Sequence, residues 1–478
     1  MAGFRLLDLV KFFLPILPEI EYPFEKISFD ERIVYTVSCA VIFLFGQLPI
    51  YGLKKNAQFY IEDPFYNFRS IFSMQQGTLL EFGLLPVLTS GFIWQIAVGL
   101  RLINVNLGNR LDRELFQTGQ KLTSFILAII YTVIFIYVGY FDNVIKGYNP
   151  IEIGGNIPWG SYFLIGLQLC SWSWIITLLV EIFDKGYGFG SGSLCFLILE
   201  SATNFIADLV GVEIYPLVNS NKFETYGASL NLIKNFKIFS PKETAFQIYH
   251  AFTRIQFPNL TQFYISLFSI LVVIGLQNFR IEVPIRSTKM RGMNNIYPIK
   301  LLYCGALPLL FAYTIIANLK IFNYLFNFAL SPYFPTLTFK LYGSRKVLNS
   351  TIISFAFSII EAFAVIILSS WFANKWSFIS GSSPRDISKQ FKDQGISISG
   401  KRDVSITKEF NRIIPVASVS GAFIIAVVAV IGEFFGGLGK GVSVIVGVAS
   451  AFGILEEFMI EYQQAGGSQF TNALSGFQ

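Results

Sequence analysis

Long stretches without charge dominate the pattern of hydrophobic and polar positions along this chain. The hydrocarbon core of a bilayer is about 30 Å thick, so a helix that crosses it needs about 20 apolar residues. Windows that meet this requirement predict an all-α polytopic membrane protein with ten transmembrane helices. The windows are 33–51, 82–100, 122–141, 158–180, 186–207, 258–279, 301–319, 347–371, 413–432 and 436–455.

Residues 53–77 lie between the first two windows and are too polar to span a bilayer, yet they are rich in aromatic residues. Non-helical backbone or a half-helix at membrane depth is tolerated only where it is buried in protein or lines a cavity. The segment is therefore interpreted as re-entrant. A helix that lies in the membrane interface is the alternative.

The N-terminus has no cleavable signal pattern, because acidic residues and Lys11 interrupt its apolar positions. The first span must then act as its own insertion signal. Residues 4–13 alternate apolar and charged positions as a short amphipathic helix does. We expect this helix to lie in the membrane interface.

The composition supports a membrane protein and argues against an enzyme. Hydrophobic residues make up 53% of the chain and charged residues only 14%. The single histidine, His250, and four cysteines within apolar windows offer no spacing typical of a metal site. Neither catalysis nor a cofactor or metal is expected.

The distribution of Lys and Arg predicts the orientation in the membrane. More than half of these residues fall in segments that are cytosolic if the N-terminus is cytosolic. An even number of spans then puts both termini on that side. The chain divides into an N-terminal half (1–213), a luminal linker loop (214–257) and a C-terminal half (258–478). Opposite topologies for the two halves, as in inverted repeats, follow from the count of spans alone.

Few charged residues fall within or beside the predicted spans, and they leave two classes of function open. The candidates are Glu81, Glu200 and Glu361. Carboxylates at this depth can have a structural position, facing a watery cavity or neighbouring helices. Alternatively, they can relay ions or protons. The second reading would make the chain a secondary transporter with inverted repeats.

Two predicted cytosolic loops, 280–300 and 372–412, are long and rich in basic residues. The positive-inside bias explains a few cations at helix ends but does not require loops of this length. Such projections could bind the phosphate backbone of ribosomal RNA or anionic lipid headgroups.

Several long motifs in these loops and elsewhere resemble the SecY family, in its eukaryotic endoplasmic-reticulum alpha-subunit form. They include PIRSTKMRGMNNIYPIK, ISGSSPRDISKQFKDQG, GQLPIYG, DPFYNFRS followed by GTLLEFG, and DKGYGFGSG. The segments ATNFIADLVGVE and EEFMIEYQQAGGSQ are most similar to the accessory, second translocon channel of fungi.

The resemblance implies a protein-conducting channel for co-translational translocation of secretory proteins and lateral insertion of membrane proteins at the endoplasmic reticulum. Its implied partners are the ribosome, a nascent polypeptide with a signal sequence, and the lipid bilayer. Small single-span gamma-type and beta-type translocon subunits, and indirectly the signal recognition particle receptor, are implied as well.

The resemblance also assigns roles to residues of this chain. A plug that seals one side would include Asp63, Pro64, Phe65, Tyr66, Phe68 and Arg69. An apolar pore ring would be built from Leu84, Leu88, Leu197, Leu310 and Val446. The polar cluster of a lateral gate, between spans two and three and spans seven and eight, would hold Thr89, Asn318 and, as a departure from the family pattern, Tyr131. Ribosome binding would fall to Arg286, Lys289, Arg291, Lys401 and Arg402.

Overall fold

The fold is taken from a computed structural model of the chain. The residues that it describes are 6–15, 17–54, 65–100, 102–103, 105, 109–142, 144–145, 158–216, 223–235, 241–254, 257–287, 294–330, 352–379, 384–394, 396–398, 403–437 and 439–464.

Helices account for most of the described residues, with two small sheets beside them. The helices are α1 Leu6–Lys11, α2 Phe29–Leu44, α3 Tyr66–Arg69, α4 Leu85–Gly99, α5 Arg110–Tyr137, α6 Trp159–Asp184, α7 Gly192–Val210, α8 Ala228–Asn235, α9 Pro241–Thr253, α10 Leu260–Gln277, α11 Leu307–Leu330, α12 Ile352–Ile379, α13 Pro384–Gln394, α14 Asp403–Phe434 and α15 Lys440–Gln464. The strands are β1 Ile214–Pro216, β2 Phe223–Thr225, β3 Arg280–Ser287, β4 Asn294–Lys300 and β5 Ile396–Ile398.

Each of the ten predicted windows contains a helix. Within the described residues, eight of them are long and apolar enough to cross a membrane. The other two, α2 and α4, are shorter, with 16 and 15 residues. Ser28 and Glu31 form a capping box that starts α2, and a 3-10 turn at Phe45–Gln47 ends it. The start of α4 follows Gly83, whose positive φ of 49° belongs to a tight turn.

The helices form two halves that meet along two seams. Neighbouring helices α4 to α7 pack against one another in the first half, as do α11, α12, α14 and α15 in the second. On one side α7 packs against α10 and α15, and on the other α4 packs against α11 and α12. The second seam brings together the four spans of the predicted lateral gate, because α5 packs on α4.

The two segments predicted as long cytosolic loops are folded into one unit. Strands β3 and β4 form an antiparallel hairpin, and β5 pairs with the other edge of β3. Beneath the sheet, Val283 and Ile299 pack with Phe391 of α13 and Phe410 of α14. Residues 280–300 contain β3 and β4, and residues 372–412 contain the end of α12, all of α13, β5 and the start of α14.

The predicted linker loop, 214–257, also has regular structure in its described part. Strands β1 and β2 pair in antiparallel register, and α8 and α9 follow them. Arg254 at the end of α9 donates to the carbonyl of Thr225, 2.8 Å away, and lies 3.5 Å from Glu224. These bonds fold the segment back on itself, so its described part is a small folded unit.

The N-terminal helix α1 packs partly on protein. Its side chains Leu7 and Val10 are buried beside Trp94 of α4, and α1 contacts α5. Phe12, just after the helix, is exposed. The expected short helix is present, and its buried apolar side chains contact the bundle. Its location in the membrane interface stays a prediction.

Candidate functional site

The segment interpreted as re-entrant enters the bundle as the short helix α3. Phe65, Phe68, Ile71 and Phe72 in and around it are almost fully buried. The Phe65 ring stacks on Phe135 of α5, with centroids 5.3 Å apart. Burial on this scale favours the re-entrant interpretation over an interfacial helix. Of the plug residues assigned by resemblance, Asp63 and Pro64 lie outside the described residues.

A buried ion pair holds the end of this segment. Arg69 Nη2 lies 2.8 Å from Glu81 Oε1, and the same nitrogen donates to the Tyr140 hydroxyl at 2.8 Å. Glu81 is fully buried and accepts from the backbone N–H of Gly77 at 2.6 Å. A buried carboxylate needs such partners because desolvation penalises its charge. Glu81 is therefore a structural anchor of this segment, called here the plug segment, with the expected bounds 54–76.

Backbone contacts tie the segment to both halves of the bundle. The N–H of Leu84 donates to the carbonyl of Phe72 at 2.9 Å, which joins the plug segment to the start of α4. On the other side Gly439, between α14 and α15, has a φ of 80°, and a Cβ there would overlap the carbonyl of Asn67. The close approach of these two backbones requires a glycine at this position.

The five residues assigned to the pore ring lie in one buried apolar cluster. None is more than 7% exposed. They come from both halves of the bundle: the start of α4, then α7, α11 and α15. An arrangement of this kind suits a narrow apolar constriction. The set is Leu84, Leu88, Leu197, Leu310 and Val446.

The three polar residues assigned to the gate form one chain of hydrogen bonds. The Tyr131 hydroxyl of α5 donates to Asn318 Oδ1 of α11. Asn318 Nδ2 in turn donates to Thr89 Oγ1 of α4, at 3.0 Å. Tyr131, the departure from the family pattern, thus supplies a polar contact across the seam.

An aromatic contact closes the same seam and was missed in the sequence. Phe92 of α4 lies edge-on to Phe311 of α11 and Phe372 of α12, with centroids 5.4 Å apart in each pair. Phe311 and Phe372 stack at 4.3 Å. Phenylalanine is so frequent here, with 51 copies, that no sequence pattern distinguishes these three.

The other two acidic candidates, Glu200 and Glu361, are bound by side chains of the protein. Glu200 of α7 is fully buried and accepts from Gln75 at 2.7 Å and Gln47 at 3.2 Å. Glu361 of α12 pairs with Lys320 of α11 at 2.7 Å. In the part of the chain that the structure describes, no group of three or more His, Cys, Asp or Glu residues could hold a metal ion.

Pairing of β3 with β5 brings the two basic segments together. Arg286 on β3 is exposed and lies opposite Ser397 of β5 in the strand register. The other four basic residues assigned to ribosome binding lie outside the described ranges: Lys289, Arg291, Lys401 and Arg402. Among the described residues, the pairing joins the end of β3, which carries Arg286, to Ile396–Ile398.

Comparison with protein families gives matches that together cover most of the chain. A family model described as SecY matches residues 78–455. A second model, described as the plug domain of Sec61p, matches residues 41–77 and so includes the plug segment.

Individual relatives match over nearly their whole length. The chain is 40% identical to the Sec sixty-one protein homolog of Saccharomyces cerevisiae, across 100% of this chain and 99% of that protein. It is 32% identical to the protein transport protein SEC61 subunit alpha of Neurospora crassa, across 95% of this chain and 96% of that protein.

Solved structures share the fold. A chain of the idle yeast Ssh1 complex bound to the yeast 80S ribosome has a TM-score of 0.73 and 39% identity, over 98% of this chain and 97% of that one. A protein conducting channel has a TM-score of 0.74 at 24% identity, over 97% of this chain and 98% of that one. The predicted all-α membrane fold is confirmed, and the chain belongs to the SecY family.

Proposed function

We propose that this chain is the channel-forming subunit of a translocon in the endoplasmic reticulum membrane, without enzymatic activity. It passes secretory polypeptides across the bilayer and releases membrane segments sideways into lipid. The observation that carries the proposal is that five aliphatic side chains from both halves and the buried aromatic side chains of the plug segment belong to one apolar core. The proposal is also supported by the name of a relative, protein transport protein SEC61 subunit alpha.

The geometry suggests how such a channel works. An apolar constriction excludes small ions by dewetting, yet it lets an extended polypeptide pass without binding it tightly. The plug segment fills the space beside the constriction until it is displaced. The seam between α4 and α11 is closed by few contacts, so a hydrophobic segment that partitions into lipid can separate these helices.

The alternative, a secondary transporter, is not favoured. A transporter would need a carboxylate that is available to an ion or solute near the midplane. The described carboxylates of Glu81, Glu200 and Glu361 already bind protein groups. The partners of the first two carboxylates include Arg69 and Gln75 of the plug segment, which suits a structural role.

We propose that both termini are cytosolic, with halves 1–213 and 258–478 joined by a luminal segment at 214–257. Contacts support a common side for the chain ends. Arg32 at the start of α2 pairs with Glu461 near the end of α15, and Lys300 of β4 pairs with Glu456 of α15. The β3–β4 hairpin therefore lies at the same end of the bundle as the start of α2 and the end of α15.

The proposed partners at that end are the translating ribosome and small single-span gamma-type and beta-type subunits, with the signal recognition particle receptor acting indirectly. Ribosomal RNA is a dense polyanion, and exposed Arg and Lys side chains bind phosphate in a salt-dependent way. The ribosome-bound state of the yeast Ssh1 complex supports this assignment.

Crosslinking tests the channel. A photo-reactive amino acid at Leu88, Leu310 or Val446 is expected to crosslink a stalled nascent chain, because a translocating polypeptide must touch the constriction. The matched control is Leu271 of α10, which is 61% exposed on the bundle surface. Adducts at Leu271 equal to those at Leu310, or none at the three ring positions, would contradict the proposal.

Charge reversal tests ribosome docking. Arg286→Glu combined with Arg402→Glu is expected to lower ribosome co-sedimentation with membranes by about tenfold or more at low salt, since each reversal replaces attraction to phosphate by repulsion. Lys234→Glu, an exposed charge reversal in the proposed luminal segment, is the control. Unchanged ribosome binding in the double variant would remove the docking assignment.

A further inference from the structure

Lys320 is a buried cation inside the membrane bundle. It lies within α11, and its side chain is 5% exposed. Cations at this depth are costly unless they are paired, and they mark positions that the protein uses. The role of Lys320 follows from what its ammonium group touches.

Two groups contact this ammonium. Lys320 Nζ lies 2.7 Å from Glu361 Oε1 on the neighbouring helix α12. The same nitrogen lies over the ring of Phe68, 4.5 Å from its centroid. Phe68 belongs to the plug segment and is almost completely buried. The ion pair thus holds the ammonium against the face of a plug residue, where cation–π attraction is strongest because water is excluded.

The same face of α11 makes further contacts with the plug segment. Tyr313 lies edge-on to Phe68, with centroids 6.3 Å apart. Tyr324, one turn beyond Lys320, lies edge-on to Phe65 at 5.9 Å. Spacings of four and seven residues put these three side chains on one side of a helix. One stripe of α11 therefore holds the plug.

Another face of α11 carries the gate. Asn318 is two positions before Lys320, so the two side chains point in different directions around the helix. Asn318 bonds to Thr89 of α4, and Lys320 contacts Phe68. A helix moves as a rigid element, so a displacement of α11 that breaks the Asn318 bonds also withdraws the ammonium from Phe68.

We propose that Lys320, held by Glu361, is a latch that keeps the plug segment in place and couples its release to the opening of the gate through α11. The inference rests on the proposed roles of plug and gate and adds to them a positioning residue. The Lys320–Glu361 ion pair would then hold the plug segment closed, and not only join α11 to α12.

The test measures resting ion conductance of the purified, reconstituted channel complex in planar bilayers. Lys320→Met and, separately, Phe68→Leu are expected to raise resting conductance by about fivefold to thirtyfold, the range between an exposed and a desolvated cation–π contact. The double variant should be no leakier than the worse single variant, because both remove the same contact. Phe68→Leu leaves the ion pair intact and so reports on the latch even if Lys320→Met folds poorly.

Matched controls remove the same groups elsewhere. Lys375→Met removes an exposed cation from α12, and Phe326→Leu removes an exposed ring from α11. Both should leave the resting conductance unchanged.

Removal of both charges separates a latch from a structural ion pair. Lys320→Met with Glu361→Met leaves no unpaired buried charge, so a merely structural pair would be dispensable, whereas loss of the ammonium over Phe68 is expected to leave the channel leaky. A tight seal in this double variant would overturn the latch. So would unchanged conductance in Phe68→Leu while deletion of residues 65–69 opens the channel. If that deletion also leaves conductance unchanged, the plug assignment itself fails.

Discussion

Asn318 is the residue at which three helices meet. Its amide bonds to Tyr131 of α5 and Thr89 of α4 from its place on α11. Hydrogen bonds between membrane helices are worth about 0.6 kcal/mol on average and at most about 1.7 kcal/mol. Bonds of this strength can hold a seam closed and still yield to a hydrophobic segment.

Replacement of these side chains should loosen the gate in proportion to the bonds lost. Asn318→Ala removes both bonds across the seam, and Tyr131→Phe removes one. We expect translocation of a reporter with a weakened signal sequence to rise in both variants, by more in Asn318→Ala. Tyr264→Phe, on the exposed surface of α10, is the control for a lost hydroxyl. A decrease in reporter translocation in Asn318→Ala with normal protein levels would contradict this role.

Single residues were predictable from the sequence only where a motif carried them. Thr89 and Asn318 were assigned by resemblance, and the structure joins them. Lys320 was missed because the apolar window ended at residue 319, whereas α11 continues to Leu330. Lys320 and Glu361 carry opposite charges in two consecutive spans. That pair of charges was the sequence signal from which Lys320 could have been recognised.

At the scale of elements, the small sheet explains how two distant segments act as one surface. Strand β5 joins the hairpin of β3 and β4, and Phe410 of α14 is fully buried beneath them, with Phe391 and Tyr297 edge-on to it. The end of β3 with Arg286 and the three residues of β5 therefore rest on one apolar support.

Removal of that support should loosen the sheet but leave the bundle intact. Phe410→Ala leaves a cavity, which costs about 3–5 kcal/mol in a packed core. Limited proteolysis is expected to cut within residues 380–402 sooner, while the membrane helices stay protected. Phe434→Ala, at the exposed end of the same helix, is the control. Equal protease resistance in Phe410→Ala and the unchanged protein would contradict this view of the sheet.

Elements were predictable where hydrophobicity alone defines them. The windows found every long helix because twenty apolar residues have few other stable states in a bilayer. The sheet was missed because β5 has only three residues and pairs with a strand more than a hundred positions away. Short strands of this kind are stabilised by tertiary contacts, which local sequence does not carry.

The whole molecule has one tightly joined seam and one weakly joined seam. Where α7 meets α15, Gly447 lets the helices approach so closely that a Cβ there would lie 2.9 Å from Ser201 Oγ. Small residues at such contacts are typical of stable helix pairs in membranes. The gate seam instead depends on Asn318 and on Phe92 with its two aromatic partners. Opening is therefore expected at the gate.

A cluster of polar contacts around Arg32, called here the clasp, joins α2 to α15 at one end of the bundle. Arg32 pairs with Glu461, donates to the carbonyl of Gly188 and lies over the Phe189 ring. Glu457 also pairs with it, but that carboxylate is 41% exposed and contributes little.

Loss of the clasp should lower the stability of the complete bundle. Arg32→Ala leaves a partly buried carboxylate and a carbonyl without their donor, at a cost of about 2 kcal/mol. The melting temperature in detergent is expected to fall, and Arg32→Glu combined with Glu461→Arg should recover part of the loss. Equal melting temperatures for Arg32→Ala and the unchanged protein would contradict the clasp.

The arrangement of the halves could be expected from the number of spans, but the partners across each seam could not. Contacts such as that of Arg32 with Glu461 join residues more than four hundred positions apart. Many pairings of ten apolar helices satisfy the same hydrophobic pattern, and side-chain fit decides among them.

The contact at Gly439 implies that a very small substitution could leave the channel permanently permeable to ions. Even a single methyl group there would overlap the backbone of Asn67, so the smallest possible substitution displaces residues 65–69 from their position in the bundle. A screen for mutants that dissipate ion gradients across the membrane should recover Gly439→Ala without any alteration of the constriction or the seam.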